Sequence, residues 1–230
     1  MDAPPRDVAD PAAGPANRLE RRKLRTRAAL IRAAQGFIAQ GRLAVPVLEI
    51  TQAADVGMGS FYNHFDSKEE LFAAAVTDAL DNIGALLDTY TGDIADPAEA
   101  FAANYRLTGR LFRLRPQETA LLLANSSTLI LSDRGLSPRA LRDITAAVGQ
   151  GRFTLSDPEL GLALAGGVLV GLGTLLSHRP DRDTETTVDE ATEHLLTTFG
   201  MSPEQAREIC RKPLPDLSAL RDATALEAPR

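Results

Sequence analysis

Tryptophan is absent from this 230-residue chain, tyrosine occurs three times, and aromatic residues make up only 5%. With Ala and Leu dominant instead, that scarcity argues against an extended sheet and for helices packed on helices, so the expected fold class is all-α. The single cysteine, Cys210, excludes an internal disulfide and matches no metal-ligand spacing. It fits a reducing compartment, and the expected location is cytoplasmic. There is no Walker loop, no GxSxG elbow and no strand-led dinucleotide fingerprint, and His64, His178 and His194 are scattered. His194 lies beside Glu190 and Glu193, but Glu185-Thr186-Thr187-Val188-Asp189-Glu190 reads more simply as an acidic, solvated helix start than as part of a metal site. No catalysis, cofactor or metal is expected.

A hydrophobic share of 44% is ample for a packed core. The formal net charge of −6 conceals a strong asymmetry. Between residues 18 and 32 there are seven basic side chains (Arg18, Arg21, Arg22, Lys23, Arg25, Arg27, Arg32) against one acid, Glu20, a net +6. The remainder therefore carries −12. A cationic stripe on an otherwise acidic protein suits a DNA-binding end attached to a body that phosphate repels, although a solvated helix face has the same composition. Residues 1–17, with Pro4, Pro5, Pro11, Gly14 and Pro15 and no apolar run, read as a disordered arm rather than a signal peptide. The longest uncharged stretch, Leu160 to Ser177, carries five glycines, with Gly167 and Gly171 at GxxxG spacing. Its length raises the question of a membrane span, but the glycines and the lack of a flanking basic cluster favour a buried interface helix.

Leu24, Ala28, Ile31, Ala34 and Ile38 recur at helical steps until Gly41. Pro46 can open a second short helix that ends at Asp55, and a third runs from about Gly59 to Phe65. Ser67 with Glu70 forms a capping-box pattern for a fourth, to about Thr89. Further helices are expected at 98–114, from Pro116, at 138–149, at 159–178 after the cap Ser156-Asp157-Pro158, at 187–199 and at 203–211, with a loop bracketed by Ser126-Ser127, Gly135 and Pro138. The expected organisation is a helix-turn-helix DNA-binding domain at 18–70, a larger helical ligand-binding and dimerisation domain at 71–212, and a flexible tail at 213–230.

In the second and third short helices, Val47, Ile50, Ala53 and Ala54 form a supporting face, Asp55 occupies a tight turn, and Val56 plugs the elbow. Phe61 and Phe65, four apart, pack inward and leave Met58, Ser60, Tyr62, Asn63 and His64 to face DNA. Ala53-Ala54-x-Val56, Gly59-Ser60-Phe61-Tyr62-x-His64-Phe65 and Ser67-Lys68-Glu69-Glu70-Leu71-Phe72 closely resemble, in order and spacing, the N-terminal domain of tetracycline-repressor (TetR) family regulators. The resemblance implies that Gly57, Met58, Gly59, Ser60, Tyr62, Asn63 and His64 contact an operator, with Tyr62 on phosphate and Lys68 reaching the backbone from the fourth helix. Lys68 also makes independent sense, since a cation beside free N–H groups at a helix start forms a phosphate site. Arg25 joins them from the basic stripe. The chain departs from the family pattern at Pro46, at Asp55 where Gly is usual, and at Gly57-Met58, where a polar or basic pair is usual. A thioether reads bases only through apolar contact, so Met58 leaves the operator sequence open.

The resemblance thins after residue 75. It implies a small-molecule cavity and a homodimer built from the helices at 159–178 and 187–199. The first is apolar nearly all round, which calls for burial on every side, and the second offers Val188, Ala191, Leu195, Leu196 and Phe199 as a partner face. Phe101, Tyr105, Thr108, Phe112, Asn125 and Thr128 combine aromatic walls with polar groups and are the candidate effector contacts, though core packing explains each of them equally well. The expected function is a dimeric regulator on a near-palindromic double-stranded operator, a repressor released by an unidentified effector. The alternatives are an activator of the same fold and a helical interaction module that does not read DNA.

Overall fold

The computed structural model describes residues 15–214, with the backbone alone for residues 15–18 and 128. Residues 1–14 of the expected arm and 215–230 of the expected tail lie outside the described residues. Within them every regular element is a helix: α1 (Pro15–Ala39), α2 (Val47–Ala53), α3 (Met58–Tyr62), α4 (Lys68–Thr91), α5 (Pro97–Leu114), α6 (Pro116–Ala124), α7 (Ser126–Leu129), α8 (Ser137–Gly149), α9 (Pro158–His178), α10 (Thr184–Thr198) and α11 (Pro203–Cys210). The chain is all-α.

Helix boundaries follow local chemistry. Pro15 starts α1 three residues before the expected onset, at a position where a missing N–H costs nothing. Ser67 caps α4 by accepting from the Glu70 amide at 3.0 Å, but Glu70 Oε2 reaches back to the Asp66 amide, one residue upstream of a reciprocal box. Asp157, Asp183 and Ser202 cap α9, α10 and α11 through side-chain oxygens, and Asp183 sets the start of α10 three residues earlier than its apolar pattern suggests. The four-residue α7 fills part of the expected loop after Ser126.

Leu30, Ile31, Ala34, Ile38, Ile50, Phe61, Phe65, Leu71 and Val76 close one core around α1–α4. A second joins α5, α8, α9, α10 and α11 around the buried rings of Phe101, Phe153 and Phe199, whose centroids lie 5.1–5.8 Å apart. Helix α4 belongs to both halves: its N-terminal turns sit in the first core, while Ile83 and Leu87 pack with Leu107 and Leu111 of α5. Helices α5 and α10 approach so closely that a Cβ at Gly109 would lie 2.8 Å from Val188 Cγ1. Nearby, Arg106 makes a two-pronged pair with Asp189 at 2.8 and 3.0 Å and donates to the Lys212 carbonyl, pinning α5, α10 and the segment after α11.

The expectation that α10 turns its apolar face to a partner is corrected, whereas α9 keeps one face open. Helix α9 is long and apolar enough to cross a membrane, yet it is not covered on every side. Leu162, Ala165, Leu172 and Leu176 are buried within the chain, while Leu160, Leu164, Val168 and Leu175 form an exposed stripe along the other face. On α10, Val188, Leu195, Leu196 and Phe199 are buried inside the chain, so this face is taken up by the protein's own core. The physical reason is that α10 lies between α5 and α11 and turns its apolar side to them, leaving Glu190, His194 and Thr197 outside.

Candidate functional site

Two places combine exposed or unsatisfied chemistry with a rigid frame: the α2–α3 head and a cavity in the helical body. In the head, the turn after α2 is made by Asp55 in the left-handed region (φ 52°), with the Val56 amide closing back on the Thr51 carbonyl at 3.0 Å. Gly57 then stands in extended conformation as the first residue before α3. Phe61 is wholly buried and stands 6.1 Å, centroid to centroid, from buried Phe65, which anchors α3 to α1 and α4. The opposite side is open: Tyr62 is 61% exposed, Gly57, Met58, Gly59 and Asn63 are exposed, and Ser60, His64 and Lys68 are half-buried. A Cβ at Gly57 or Gly59 would meet nothing within 4 Å, so neither glycine is required by packing inside the chain.

The basic helix α1 reaches this open side. Arg27 lies over the Phe65 ring at 5.1 Å, and burial together with the nearby Lys23 and Arg27 cations pushes the His64 imidazole below its ordinary value of 6.5. Lys23 and Arg27 thus join the candidate contacts, while Arg25 is exposed on the same helix. Lys68 sits in the first turn of α4. Gly57, Met58, Gly59, Tyr62 and Asn63 are thus exposed on and beside α3, with cations of α1 near His64 and Lys68 at the start of α4.

The cavity has a volume of about 100 Å³ and lies among α4, α5, α6, α7, α8 and α9. Its walls are mainly Leu80, Leu87, Phe101, Leu122, Leu162 and Leu169. Phe101, Tyr105 and Thr108 line it as anticipated. Phe112 lies instead on a smaller apolar pocket that shares Leu80, Thr108, Leu122 and Leu136 with it. Asn125 is not on the wall, because its amide donates to the Leu121 carbonyl at 2.8 Å as the chain leaves α6. The side chain of Thr128 lies outside the described residues.

Sequence reasoning missed the polar edge of this cavity. Asn104 lines it, and its Nδ2 donates to Asp143 Oδ2 at 3.2 Å. Asp143 Oδ1 accepts from Arg142 Nε at 2.9 Å. Arg142 and Arg139 both donate to Asp88, at 2.9 and 2.8 Å. Burial works against the Asp88 carboxylate, yet these two guanidinium donors hold its pKa below the ordinary carboxylate value. A Cβ at Gly84 would fall 2.7–2.8 Å from the Arg139 guanidinium group, so this glycine makes room for Arg139 to cross α4 towards Asp88. Burial drives the Tyr105 phenol far above its usual value, and its hydroxyl donates to the Ala165 carbonyl at 2.8 Å. Asn104 was legible in principle, since it shares the helical face of Phe101, Tyr105 and Thr108. The Asp88–Arg139–Arg142–Asp143 array joins α4 to α8 across more than fifty residues and has no local signal.

A family model described as bacterial regulatory proteins, tetR family, matches residues 30–75, and one described as the tetracyclin repressor-like C-terminal domain matches residues 96–212. RolR in complex with resorcinol is 30% identical, with a TM-score of 0.67, covering 86% of this chain and all of that one. RolR without ligand is 29% identical, with a TM-score of 0.64, covering 83% of this chain and all of that one. FadR from Bacillus subtilis in complex with stearoyl-CoA shares the fold at 16% identity and a TM-score of 0.51, covering 74% of this chain and 97% of that one. No curated protein sequence matches the chain. Family matches over both halves and a 30%-identical structure covering 86% of the chain agree with an open short helix beside a basic first helix and a separate cavity in the body: the chain belongs to the TetR family of DNA-binding transcriptional regulators.

Proposed function

We propose that the protein is a cytoplasmic repressor that binds a near-palindromic operator as a homodimer and is released by a small ring-bearing effector. The observation that carries this reading is the division of α3 into a buried side, Phe61, and an open side, Met58 to Asn63, next to the cations of α1. Short, rigidly anchored helices of this kind enter the major groove with their N-terminal side chains, while neighbouring groups hold phosphate. In this reading Gly57, Met58, Gly59, Ser60 and Asn63 meet base edges and backbone, and Arg25, Tyr62, His64 and Lys68 hold phosphates.

The dimer forms through the exposed stripe of α9. A Cβ at Gly167 or Gly171 would meet nothing within 4 Å, and both glycines lie beside Leu164, Val168 and Leu175, so a second copy of α9 can approach closely. In the two-fold assembly α10 contributes its outer, polar side at Glu190, His194 and Thr197.

The effector occupies the cavity. A dry apolar cavity of roughly 150 Å³ suffices for benzene, so about 100 Å³ with some relaxation suits one small ring and not a long acyl chain. RolR, the 30%-identical structure, holds resorcinol, a ligand of this size. Leu80, Leu87 and Asp88 place α4 on the cavity wall about 18–30 Å along the helix from Lys68. Helix α6 offers a second link: Leu122 lines the cavity, while Leu121 packs against the α1–α4 core. A ligand that fits only one arrangement of α4 and α6 changes the spacing of the two heads, and operator affinity falls by its preference for that arrangement.

Selection of genomic fragments by the purified protein at a stated salt concentration tests the DNA-reading step. The expected product is a short inverted repeat whose binding is weakened about tenfold or more by Tyr62→Ala and by Lys68→Ala. Diffuse, salt-sensitive binding indifferent to both substitutions would leave a helical protein that does not read operators.

A further inference from the structure

We infer that the effector is held by donating a hydrogen bond to Oδ1 of Asn104, and therefore belongs to the class of neutral ring compounds bearing a hydroxyl or N–H group. The inference rests on the effector-cavity reading above and adds the chemistry of recognition to it. Asn104 lines the cavity, and its Oδ1 is buried with no hydrogen-bond partner. The amide cannot turn over to relieve this, because only its nitrogen can donate to the Asp143 carboxylate 3.2 Å away. A buried acceptor left unpaired is costly, and a ligand that supplies a donor removes that cost.

Three hydroxyls on the wall have already spent their protons. Tyr105 donates to the Ala165 carbonyl, Thr108 to the Asn104 carbonyl at 2.8 Å and Ser137 to the Leu129 carbonyl at 2.7 Å. Arg139 donates to Asp88 and to the Gly135 carbonyl, and Arg134 pairs with Asp81 at 2.6 Å. Asp88, Arg134 and Arg139 also border an open depression of about 410 Å³ that adjoins the cavity. Its cations are matched by Asp81, Asp88 and Asp133 on the same rim. A carboxylate or phosphate entering here meets no net positive charge, because three carboxylates balance the three guanidinium groups of the rim, whereas a neutral hydroxyl meets the one buried acceptor that lacks a donor among the described residues of the wall. An all-apolar ring would fill the space but leave Asn104 Oδ1 unpaired.

The test is calorimetric or fluorescence binding of resorcinol, m-cresol and m-xylene to the full chain, with benzoate as the anionic probe. A hydroxyl and a methyl are close in size, so the first three differ mainly in donors. Hydrophobicity alone ranks m-xylene first. The inference expects the reverse, with resorcinol and m-cresol binding about tenfold or more tightly than m-xylene and more tightly than benzoate. In Asn104→Leu the preference for m-cresol over m-xylene should disappear. Equal or tighter binding of m-xylene or benzoate to the unmodified chain overturns the donor inference and leaves the small-ring reading standing. Failure of all four to bind overturns both. The comparison on the unmodified chain still tests the donor preference where Asn104→Leu folds poorly, and tighter binding of m-xylene there overturns the inference by itself.

Discussion

His64 illustrates how much one side chain depends on its neighbours. Burial, Lys23 and Arg27 depress its pKa in the free protein, so the folded chain disfavours its protonation, and the associated stability is complete above 6.5 and declines as pH falls through the folded pKa. A phosphate beside the ring reverses the local sign and raises the pKa, so the DNA-bound form takes up a proton. Operator affinity should therefore rise as pH is lowered from about 7.5 towards 5.5, and His64→Gln should flatten that rise. Fluorescence anisotropy at constant ionic strength measures both slopes. An identical slope in the two proteins removes His64 from the phosphate face. At Asp55 the departure from the family's usual glycine carries a visible cost: a non-glycine residue at φ 52°, tolerated because an aspartate sits in left-handed geometry more readily than most.

Among the elements, α5 carries the greatest share of the body's connections. It contacts α4, α6, α8, α9, α10 and α11, and its buried face supplies both cavity wall and core. Arg106 is nearly inaccessible and ties α5 to α10 through Asp189. Arg106→Met should lower stability by about 2–3 kcal/mol, because Asp189 loses its two-pronged partner but keeps Arg110. The corresponding fall in Tm, roughly 4–12 °C for a chain of this size, is measurable by calorimetry. An unchanged Tm would mean that Arg110 alone satisfies Asp189.

The elements themselves were largely legible in the sequence. Apolar spacing and the cap residues located α1, α4, α5, α8, α9 and α11 to within a few residues, because those signals are local. Helix α7, at four residues, is too short to show periodicity. The all-round apolar composition of α9 suggests all-round burial, but composition does not say which neighbour covers a face, and here one stripe is left open. The α3 face was readable because Phe61 and Phe65 separate inside from outside over five residues. The cavity was only half readable: Phe101, Tyr105 and Thr108 follow from one helix face, whereas Arg139, Arg142 and Asp88 meet only when α8 folds against α4.

For the whole molecule, a basic head and an acidic body are joined through α4 and α6, and in the proposed dimer the exposed stripe of α9 pairs two heads. In the proposed function the DNA lies at the basic end, since residues 18–32 carry a net +6 and the remainder of the chain −12. A single reading head binds a single half-site, so operator reading of the proposed kind requires both the head and the dimer. The most direct measurement is a hydroxyl-radical footprint on a selected fragment, made with the unmodified chain and with Val168→Lys, whose sedimented mass is followed in parallel. The account predicts two-fold symmetric protection in successive major grooves for the dimeric parent. It predicts halved mass, with protection weakened about tenfold or more, for Val168→Lys, whose lysine falls on the α9 stripe and on no internal core. Protection of one groove only, or a symmetric footprint unchanged in a monomeric Val168→Lys, would contradict it.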